Sequence, residues 1–405
     1  MRILHTSDWH LGRSFGPVSL LEHQQQFVDW LVEVVTDQRI DLVVVAGDIF
    51  DRAIAPTEAV VMFRDAVRRL LATGSKVVAI TGNHDSADRV AAYDTLLDLS
   101  GLLLRGGYQN IGEVIPFDAP DGRLDLVLLP FLDPQGAPDD LVDGDAEPDA
   151  GAGDESGDPV DAALRRRMRR THHSVLESAV SAVAPRLVAP RSLAVSHAFV
   201  AGGAISESER QLTVGGTATV DAALFDRFSY TALGHLHRPQ IVNGSDVLRY
   251  SGTPLAYSFS EDHAKSVSIV DMAADGTCTV TDLPVGVGRA VCTITGTIDE
   301  LLSASPSSAV RESFVRAVIT DAGVVLDAKR RLGEVYPHVV EIVPRPAVPE
   351  GVGETPVVIG RERSAVEVVD EFWQRSTGGP PTPGQRALLH EALAAVMAAA
   401  DGGAA

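Results

Sequence analysis

The chain contains little cysteine, few aromatic residues and no long hydrophobic run. Only two of its 405 residues are cysteines, Cys278 and Cys292, and their spacing matches neither a zinc site nor a disulfide framework. No apolar stretch approaches the roughly 20 residues that a transmembrane helix needs, and the N-terminus lacks the pattern of a signal peptide. These absences predict a cytoplasmic protein with reduced thiols.

Positive charge is also scarce. The formal net charge is −21, from 34 Lys and Arg against 55 Asp and Glu. A protein with this balance does not hold nucleic acid by bulk electrostatic attraction. Much of the negative charge is local, because residues 133–161 include eleven acidic residues and no Lys or Arg. We predict a disordered acidic surface insertion over 133–161.

The sequence does contain short apolar runs that end in polar side chains. The run Leu42–Val45 is typical of a buried strand, and Gly47 and Asp48 follow it closely. Four other runs end in the same way. Because open α/β sheets place ligand sites at the carboxyl ends of their strands, we expect these side chains to meet at one rim. The candidate metal ligands at this rim are Asp8, His10, Asp48, Asn83, His197, His235 and His237.

These donors are carboxylates, imidazoles and one amide, without a thiolate. That mixture suits Mn²⁺, Fe or Zn²⁺ in a catalytic site better than a structural zinc. Seven ligands are too many for one ion and fit two, with Asp48 as the expected bridge. Two ions roughly 3.5–4 Å apart can clamp a phosphoryl group and activate water. His84 would protonate the leaving oxygen, and Asp85 would hold the His84 ring in the useful tautomer.

The remaining chain predicts further elements and domains. Helical spacing covers 22–38, 56–72, 88–99 and 164–184, and the last of these opens with the basic run 165–170. This run is interpreted as a solvated helix face, with phosphate contact as the alternative. We predict a catalytic domain at 1–284, an α+β capping domain at 285–344, a linker at 345–360 and a helical pair at 361–400.

The motifs together resemble the calcineurin-like metallophosphoesterases, and within them the nuclease subunits that work with a coiled-coil ATPase. The resemblance implies an α/β fold, a metallophosphoesterase β-sandwich flanked by helices. It covers about residues 1–272 with specific motifs and the rest by layout only. The motifs are Met1-Arg-Ile-Leu-His-Thr-Ser-Asp-Trp-His-Leu-Gly12, Ala46-Gly-Asp-Ile-Phe-Asp51, Gly82-Asn-His-Asp-Ser86, Leu233-Gly-His-Leu-His-Arg238 and Tyr250-Ser-Gly-Thr-Pro254.

The resemblance also implies roles for individual residues. Two divalent ions, with Mn²⁺ expected, would share Asp48, and His84 would stabilise the transition state or protonate the leaving group. The first ion would be held by Asp8, His10, Asp48 and His237, and the second by Asp48, Asn83, His197 and His235. Independently of the resemblance, Arg13, Arg52 and Arg89 are candidate contacts to the DNA backbone because they lie near the motifs in the sequence, and surface arginines without a ligand are the alternative.

The function implied by the resemblance is a DNA nuclease used in repair, recombination and replication. Such an enzyme degrades double-stranded ends 3′ to 5′ and opens hairpins and single strands endonucleolytically. The helical pair would bind the coiled-coil ATPase, and the helices at 56–72 and 88–99 would form a homodimer within a heterotetramer. Two alternatives remain from the residues alone. One is a phosphoesterase for a small phosphoester or cyclic nucleotide. The other is a non-catalytic scaffold, and that alternative requires the loss of at least one metal ligand.

Overall fold

The computed structural model describes residues 1–142, 170–204, 209, 219–345 and 365–402. It divides into two compact units, Met1–Ala290 and Val291–Ala405. Within the described residues, no helix is long and apolar enough to span a membrane.

The described strands and helices are short, as is usual for an α/β protein. The strands are β1 Arg2–Thr6, β2 Ser14–Phe15, β3 Val18–Ser19, β4 Leu42–Ala46, β5 Lys76–Ile80, β6 Leu102–Arg105, β7 Ile115–Ala119, β8 Gly122–Leu129, β9 Ser192–His197, β10 Phe199–Val200, β11 Thr219–Val220, β12 Tyr230–Gly234, β13 Gln240–Val242, β14 Ser245–Tyr250, β15 Ser266–Met272, β16 Cys278–Pro284, β17 Val291–Gly296, β18 Phe314–Ile319 and β19 Val339–Pro344. The α-helices are Leu21–Asp37, Thr57–Ala72, Ala87–Val90, Asp94–Leu97, Asp139–Val142, His172–Val183, Ile298–Ser303, Ser308–Glu312, Ala328–Gly333, Ala365–Thr377 and Pro383–Gly402.

Two six-stranded sheets form the first unit. Their strand orders are β16-β15-β1-β4-β5-β6 and β13-β14-β12-β9-β8-β7. Strands β1, β4, β5 and β6 of the first sheet are parallel, with β6 at its edge, as are the central strands β8, β9, β12 and β14 of the second. Val44 and Val78 of one sheet and Val195 and Ala232 of the other share one buried core cluster. The predicted α/β fold with a β-sandwich is therefore confirmed. The central strands have continuous apolar sequences because both faces of each sheet are covered.

Two of the predicted helices differ from the structure. The helix Thr57–Ala72 begins after Pro56, as predicted. Its apolar spacing in the sequence places Val60 on the same face as Val67 and Leu70, but Val60 is 47% exposed. The helix predicted at 88–99 is instead two four-residue helices followed by a 3₁₀ turn. The Asp94 carboxylate accepts from Thr95 N at 2.6 Å and from Asn110 Nδ2 at 2.9 Å. Such local side-chain bonds compete with helix propagation, so the helix is interrupted.

The prediction that residues 133–161 are disordered is wrong for the first ten of them. Residues 133–142 contain a 3₁₀ turn and a short helix, and Ala137 is 1% exposed within a core cluster. Arg170 is itself buried and donates to Ala137 O and to Asp139 Oδ1, each at 2.7 Å. Arg170 is therefore a structural anchor, not part of a solvated basic face. Residues 143–161, and 165–169 of the basic run, lie outside the described residues.

The second unit has a three-stranded parallel sheet of order β17-β18-β19. Its core includes Leu301, Val315, Leu332 and Tyr336. The sequence predicts a helix over 324–333 in this unit, but the helix begins at Ala328, because Asp327 has a left-handed backbone with φ of 53°. The C-terminal helices Ala365–Thr377 and Pro383–Gly402 follow, and most of the predicted linker lies outside the described residues.

Candidate metal centre

The seven candidate ligands lie at or just after the carboxyl ends of five strands from both sheets. Asp8 and His10 follow β1, Asp48 follows β4 and Asn83 follows β5. From the second sheet, His197 ends β9, and His235 and His237 follow β12. The structure brings these side chains together across the edge of the sandwich. It also gives the physical reason for the sequence pattern, since each apolar run supplies a core strand and its next residues face the rim.

Asp48 occupies the middle of this cluster. Ligand atoms lie within 4.8 Å of one another in each of three groups: Asp8 with His10 and His237, His10 with Asp48 and His84, and Asp8 with Asp48 and His197. Asp48 Oδ2 lies 3.7 Å from His10 Nε2 and 3.6 Å from His197 Nε2. One carboxylate therefore faces both sides of the cluster, which is the arrangement that a bridging ligand requires.

We call Asp8, His10 and His237 the first half of the centre. The Nε2 atoms of His10 and His237 lie 3.3 Å apart. His237 Nδ1 lies 3.0 Å from Glu261 Oε1. Because a carboxylate can only accept, this partner assigns the proton to Nδ1 and leaves a lone pair on His237 Nε2. That lone pair faces the interior of the cluster.

We call Asn83, His197 and His235 the second half. His197 Nδ1 lies 2.9 Å from Ala46 O, which fixes Nδ1 as the donor and leaves a lone pair on Nε2. That lone pair faces Asn83 Oδ1 at 3.0 Å, and His235 Nδ1 lies at the same distance from Oδ1. The buried Asn83 Nδ2 has no hydrogen-bond partner among the described residues. Two acceptor atoms facing each other in a buried site fit a cation between them.

The burial of the cluster also favours a cation. Burial and the adjacent charge of Asp48 raise the pKa of Asp8 well above its usual range. Burial lowers the pKa of His10, His197 and His235, so these rings are neutral at physiological pH. Neutral imidazoles and closely spaced carboxylates are the donors that divalent metals bind, and a metal would remove the repulsion between the carboxylates. The residues present therefore fit divalent metal ions.

The backbone at the rim is unusual. Four of the site residues, Asp8, His10, Asp48 and His235, have φ values of 53°, 44°, 47° and 106°. The left-handed region is unfavourable for residues with a Cβ, and a cluster of such strained residues is typical of a functional site. Gly82 allows the close approach of the loops, since a Cβ there would lie 2.1 Å from Asp48 Oδ1.

His84 and Asp85 are both at the rim, but the predicted contact between them is wrong. His84 Nδ1 lies 2.8 Å from Asp51 O, so a backbone carbonyl orients the ring. Asp85 instead accepts from the backbone amides of Ile49 at 3.0 Å, Phe50 at 2.9 Å and Gly82 at 2.9 Å. Burial makes these bonds necessary. Asp85 thus joins the loops after β4 and β5, and no pattern along the sequence revealed those amide partners.

The three candidate DNA contacts differ in their surroundings. Arg13 forms a 3.2 Å ion pair with Asp51, and its guanidinium carbon lies 5.2 Å from the centre of the Tyr257 ring. Arg52 and Arg89 are exposed, and neither forms an ion pair with another described residue.

Glu261 is a residue of the centre that the sequence analysis missed. It is 1% exposed and contacts His237 through its carboxylate. The nearest signal in the sequence was the motif at 250–254. Thr253 of this motif, eight residues before Glu261, donates through Oγ1 to the Glu261 carboxylate at 2.9 Å.

A metal-containing phosphoesterase is the class that this fold and donor set define. A family model described as calcineurin-like phosphoesterase matches residues 1–239. The chain belongs to the calcineurin-like phosphoesterase family, and the family predicted from the sequence motifs is confirmed.

Among curated proteins, the chain is similar to the SbcD component of the nuclease SbcCD from Bacillus subtilis (strain 168). The two are 38% identical over 277 residues, which are 67% of this chain and 66% of that protein. The match thus spans just under two thirds of the relative. Among solved structures, TT1561 of Thermus thermophilus has a TM-score of 0.33 at 10% identity, over 69% of this chain and 98% of that chain. A dimetal phosphatase from Danio rerio has a TM-score of 0.36 at 14% identity, over 70% and 98%.

Proposed function

We propose that the chain is a two-metal phosphodiesterase that cuts DNA as the nuclease subunit of an SbcCD-like complex. The observation that carries the metal assignment is the pair of facing acceptors, His197 Nε2 and Asn83 Oδ1, beside the shared carboxylate of Asp48. The similarity to a nuclease component over 277 residues supports DNA as the substrate. The activities proposed are 3′ to 5′ digestion of double-stranded ends and endonucleolytic opening of hairpins and single strands, in DNA repair, recombination and replication.

Each half of the centre would hold one ion, and Asp48 would bind both. Mn²⁺ is the proposed metal, as the family resemblance implies, and oxygen and neutral nitrogen donors without a thiolate are compatible with it. Two ions held by these residues would supply activation of water at neutral pH and charge neutralisation for the phosphoryl oxygens. The first ion would take Asp8, His10, Asp48 and His237, and the second Asp48, Asn83, His197 and His235.

His84 is the proposed proton donor to the leaving oxygen. Its Nδ1 donates to Asp51 O, so Nε2 of the neutral ring carries a lone pair, and the ring must gain a proton at Nε2 before it can deliver one to the leaving oxygen. The ring lies beside the metal ligands, with its centroid 4.7 Å from that of His10. His84 N also donates to Asp48 Oδ1 at 2.8 Å, which fixes the loop that carries it.

The proposed partners are DNA, a second copy of the chain and an SbcC-like coiled-coil ATPase, in the cytoplasm and on the nucleoid. The ATPase would bind the C-terminal helices, where Val366 is 38% and Leu388 is 68% exposed. The homodimer would use the apolar surface around the helix Thr57–Ala72 and the two short helices after residue 86. The exposed apolar side chains there are Ile54, Val60, Val61, Tyr93, Leu96 and Leu99. Arg13, Arg52 and Arg89 are the proposed contacts to the DNA backbone.

Cleavage of a labelled DNA hairpin with Mn²⁺ tests this function. Wild type is compared with Asp48→Ala, with and without the coiled-coil partner and ATP. Asp125→Asn is the matched control, because Asp125 is equally buried but pairs with Arg123 and the amides of Val188 and Ala189, at the start of β8 and away from the rim. We expect cleavage by wild type and the control and none by Asp48→Ala. Absence of DNA cleavage, together with Mn²⁺-dependent hydrolysis of a small phosphodiester or cyclic nucleotide, would contradict DNA as the substrate.

A further inference from the structure

Glu261 is a fully buried carboxylate whose two oxygens have separate partners. Oε1 lies 3.0 Å from His237 Nδ1. Oε2 accepts from Thr253 Oγ1 at 2.9 Å, from Lys265 Nζ at 2.5 Å and from Tyr257 N at 3.3 Å. Three donors therefore fix one end of the carboxylate, and the other end faces the imidazole.

The contacts of Glu261 favour its ionised form. Lys265 Nζ lies 2.5 Å from Oε2, and Thr253 Oγ1 and Tyr257 N donate to the same oxygen, so an ammonium group and two further donors stabilise a negative charge there. Lys265 is itself only 10% exposed, so the pair is an internal one. An ionised acceptor makes the stronger hydrogen bond to an imidazole N–H and increases the electron density on the other ring nitrogen.

We propose that Glu261 is a positioning residue for the first half of the centre. It holds the His237 ring with Nε2 directed at the metal, and it increases the affinity of that nitrogen for the ion. Lys265 and Thr253 hold Glu261 in turn. This inference rests on the proposed two-metal site. It adds a residue that does not bind the metal itself but controls the metal affinity of the first half.

A purely structural role must be separated from this one. Loss of Glu261 alone would leave Lys265 as an unpaired buried charge and destabilise the fold for a reason unrelated to metal binding. Replacing both members of a buried ion pair by apolar side chains of similar volume is often neutral for stability. The double variant Glu261→Met/Lys265→Met therefore removes the acceptor for His237 without leaving a buried charge. Glu261→Gln/Lys265→Met is its matched partner, because the amide still offers a carbonyl oxygen to His237.

The test is a Mn²⁺ titration of the full chain. Calorimetry measures the binding, and electron paramagnetic resonance measures the free Mn²⁺ at each point. Apo-protein melting temperatures are measured beside it. We expect wild type to bind two ions. In the Met/Met variant, one ion should bind about 10–100-fold more weakly while the other is unchanged. The affinity of the Gln/Met variant should fall between the two. Both variants should fold, with the Met/Met variant melting below the other two proteins because His237, Thr253 and Tyr257 N lose an acceptor.

The outcomes distinguish this inference from the proposed function. Wild type that binds no Mn²⁺ would overturn the two-metal site and the inference together. Two ions bound equally well by wild type and by the Met/Met variant would overturn the role of Glu261 alone. Should the Met/Met variant fail to fold, the Gln/Met variant decides, and the inference is then wrong if both of its sites have wild-type affinity.

Discussion

The two halves of the centre share Asp48 but fix their histidines by different means. In the first half, His237 contacts the ionised side chain of Glu261. In the second half, His197 contacts a neutral backbone oxygen, Ala46 O, which no side-chain substitution can remove. A carboxylate partner increases the basicity of an imidazole more than a carbonyl does. The comparison teaches that similar ligand sets can have unequal affinity, and we expect the first half to hold its ion more tightly.

Removing one histidine from each half should have the largest effect. His237→Ala and His197→Ala should each reduce hairpin cleavage to background, because a two-metal reaction needs both ions. Each variant should still bind one Mn²⁺. The ion that remains in His197→Ala, which keeps the first half, should bind more tightly than the ion in His237→Ala. Mn²⁺ titration measures both affinities, and the reverse order would contradict the comparison.

His84→Gln should have the next largest effect. We expect single-turnover cleavage to fall by about 10²–10⁴-fold, the usual contribution of a general acid. Both halves should keep their ions, since neither proposed ligand set requires the His84 side chain. Single-turnover cleavage at saturating Mn²⁺ measures the rate, and the Mn²⁺ titration is the control. Unaltered cleavage would remove the proposed role of His84.

Metal removal should act on stability, and its effect should scale with the number of sites occupied. Mn²⁺ at about 100 times the dissociation constant of a site stabilises the folded chain by about 2.7 kcal/mol for that site. Two sites should therefore contribute about twice this value in wild type, and one site in His197→Ala. Urea unfolding of chelator-treated protein with and without Mn²⁺ measures the difference. Equal stabilisation of wild type and His197→Ala would argue against two separate sites.

The sequence was informative where the signal is local. Asp8, Asp48 and Asn83 each follow an apolar run within a few residues, so the pattern of a buried strand was enough to place them at the rim. Contacts between distant segments left no such signal. Glu261 is 24 positions from His237, and the amides that bind Asp85 belong partly to another loop.

Two predictions were wrong for the same reason: the continuous helix at 88–99 and the disorder of residues 133–142. The helix predicted at 88–99 is interrupted by the Asp94 side chain, which bonds Asn110, 16 positions away. Residues 133–142 are acidic and contain proline, yet Ala137 is buried and its carbonyl oxygen accepts a hydrogen bond from Arg170. Composition describes a segment by itself, whereas these outcomes depend on what packs against it.

The left-handed backbone at Asp8, His10, Asp48 and His235 has a consequence for protein design. Copying the ligand side chains onto the strand ends of another sheet would not reproduce this centre, because ordinary strand ends do not present these dihedral angles. A designer would have to transfer the loops and their close-approach glycines as one unit. The transferable part is the backbone path, and the ligands are useful only in combination with it.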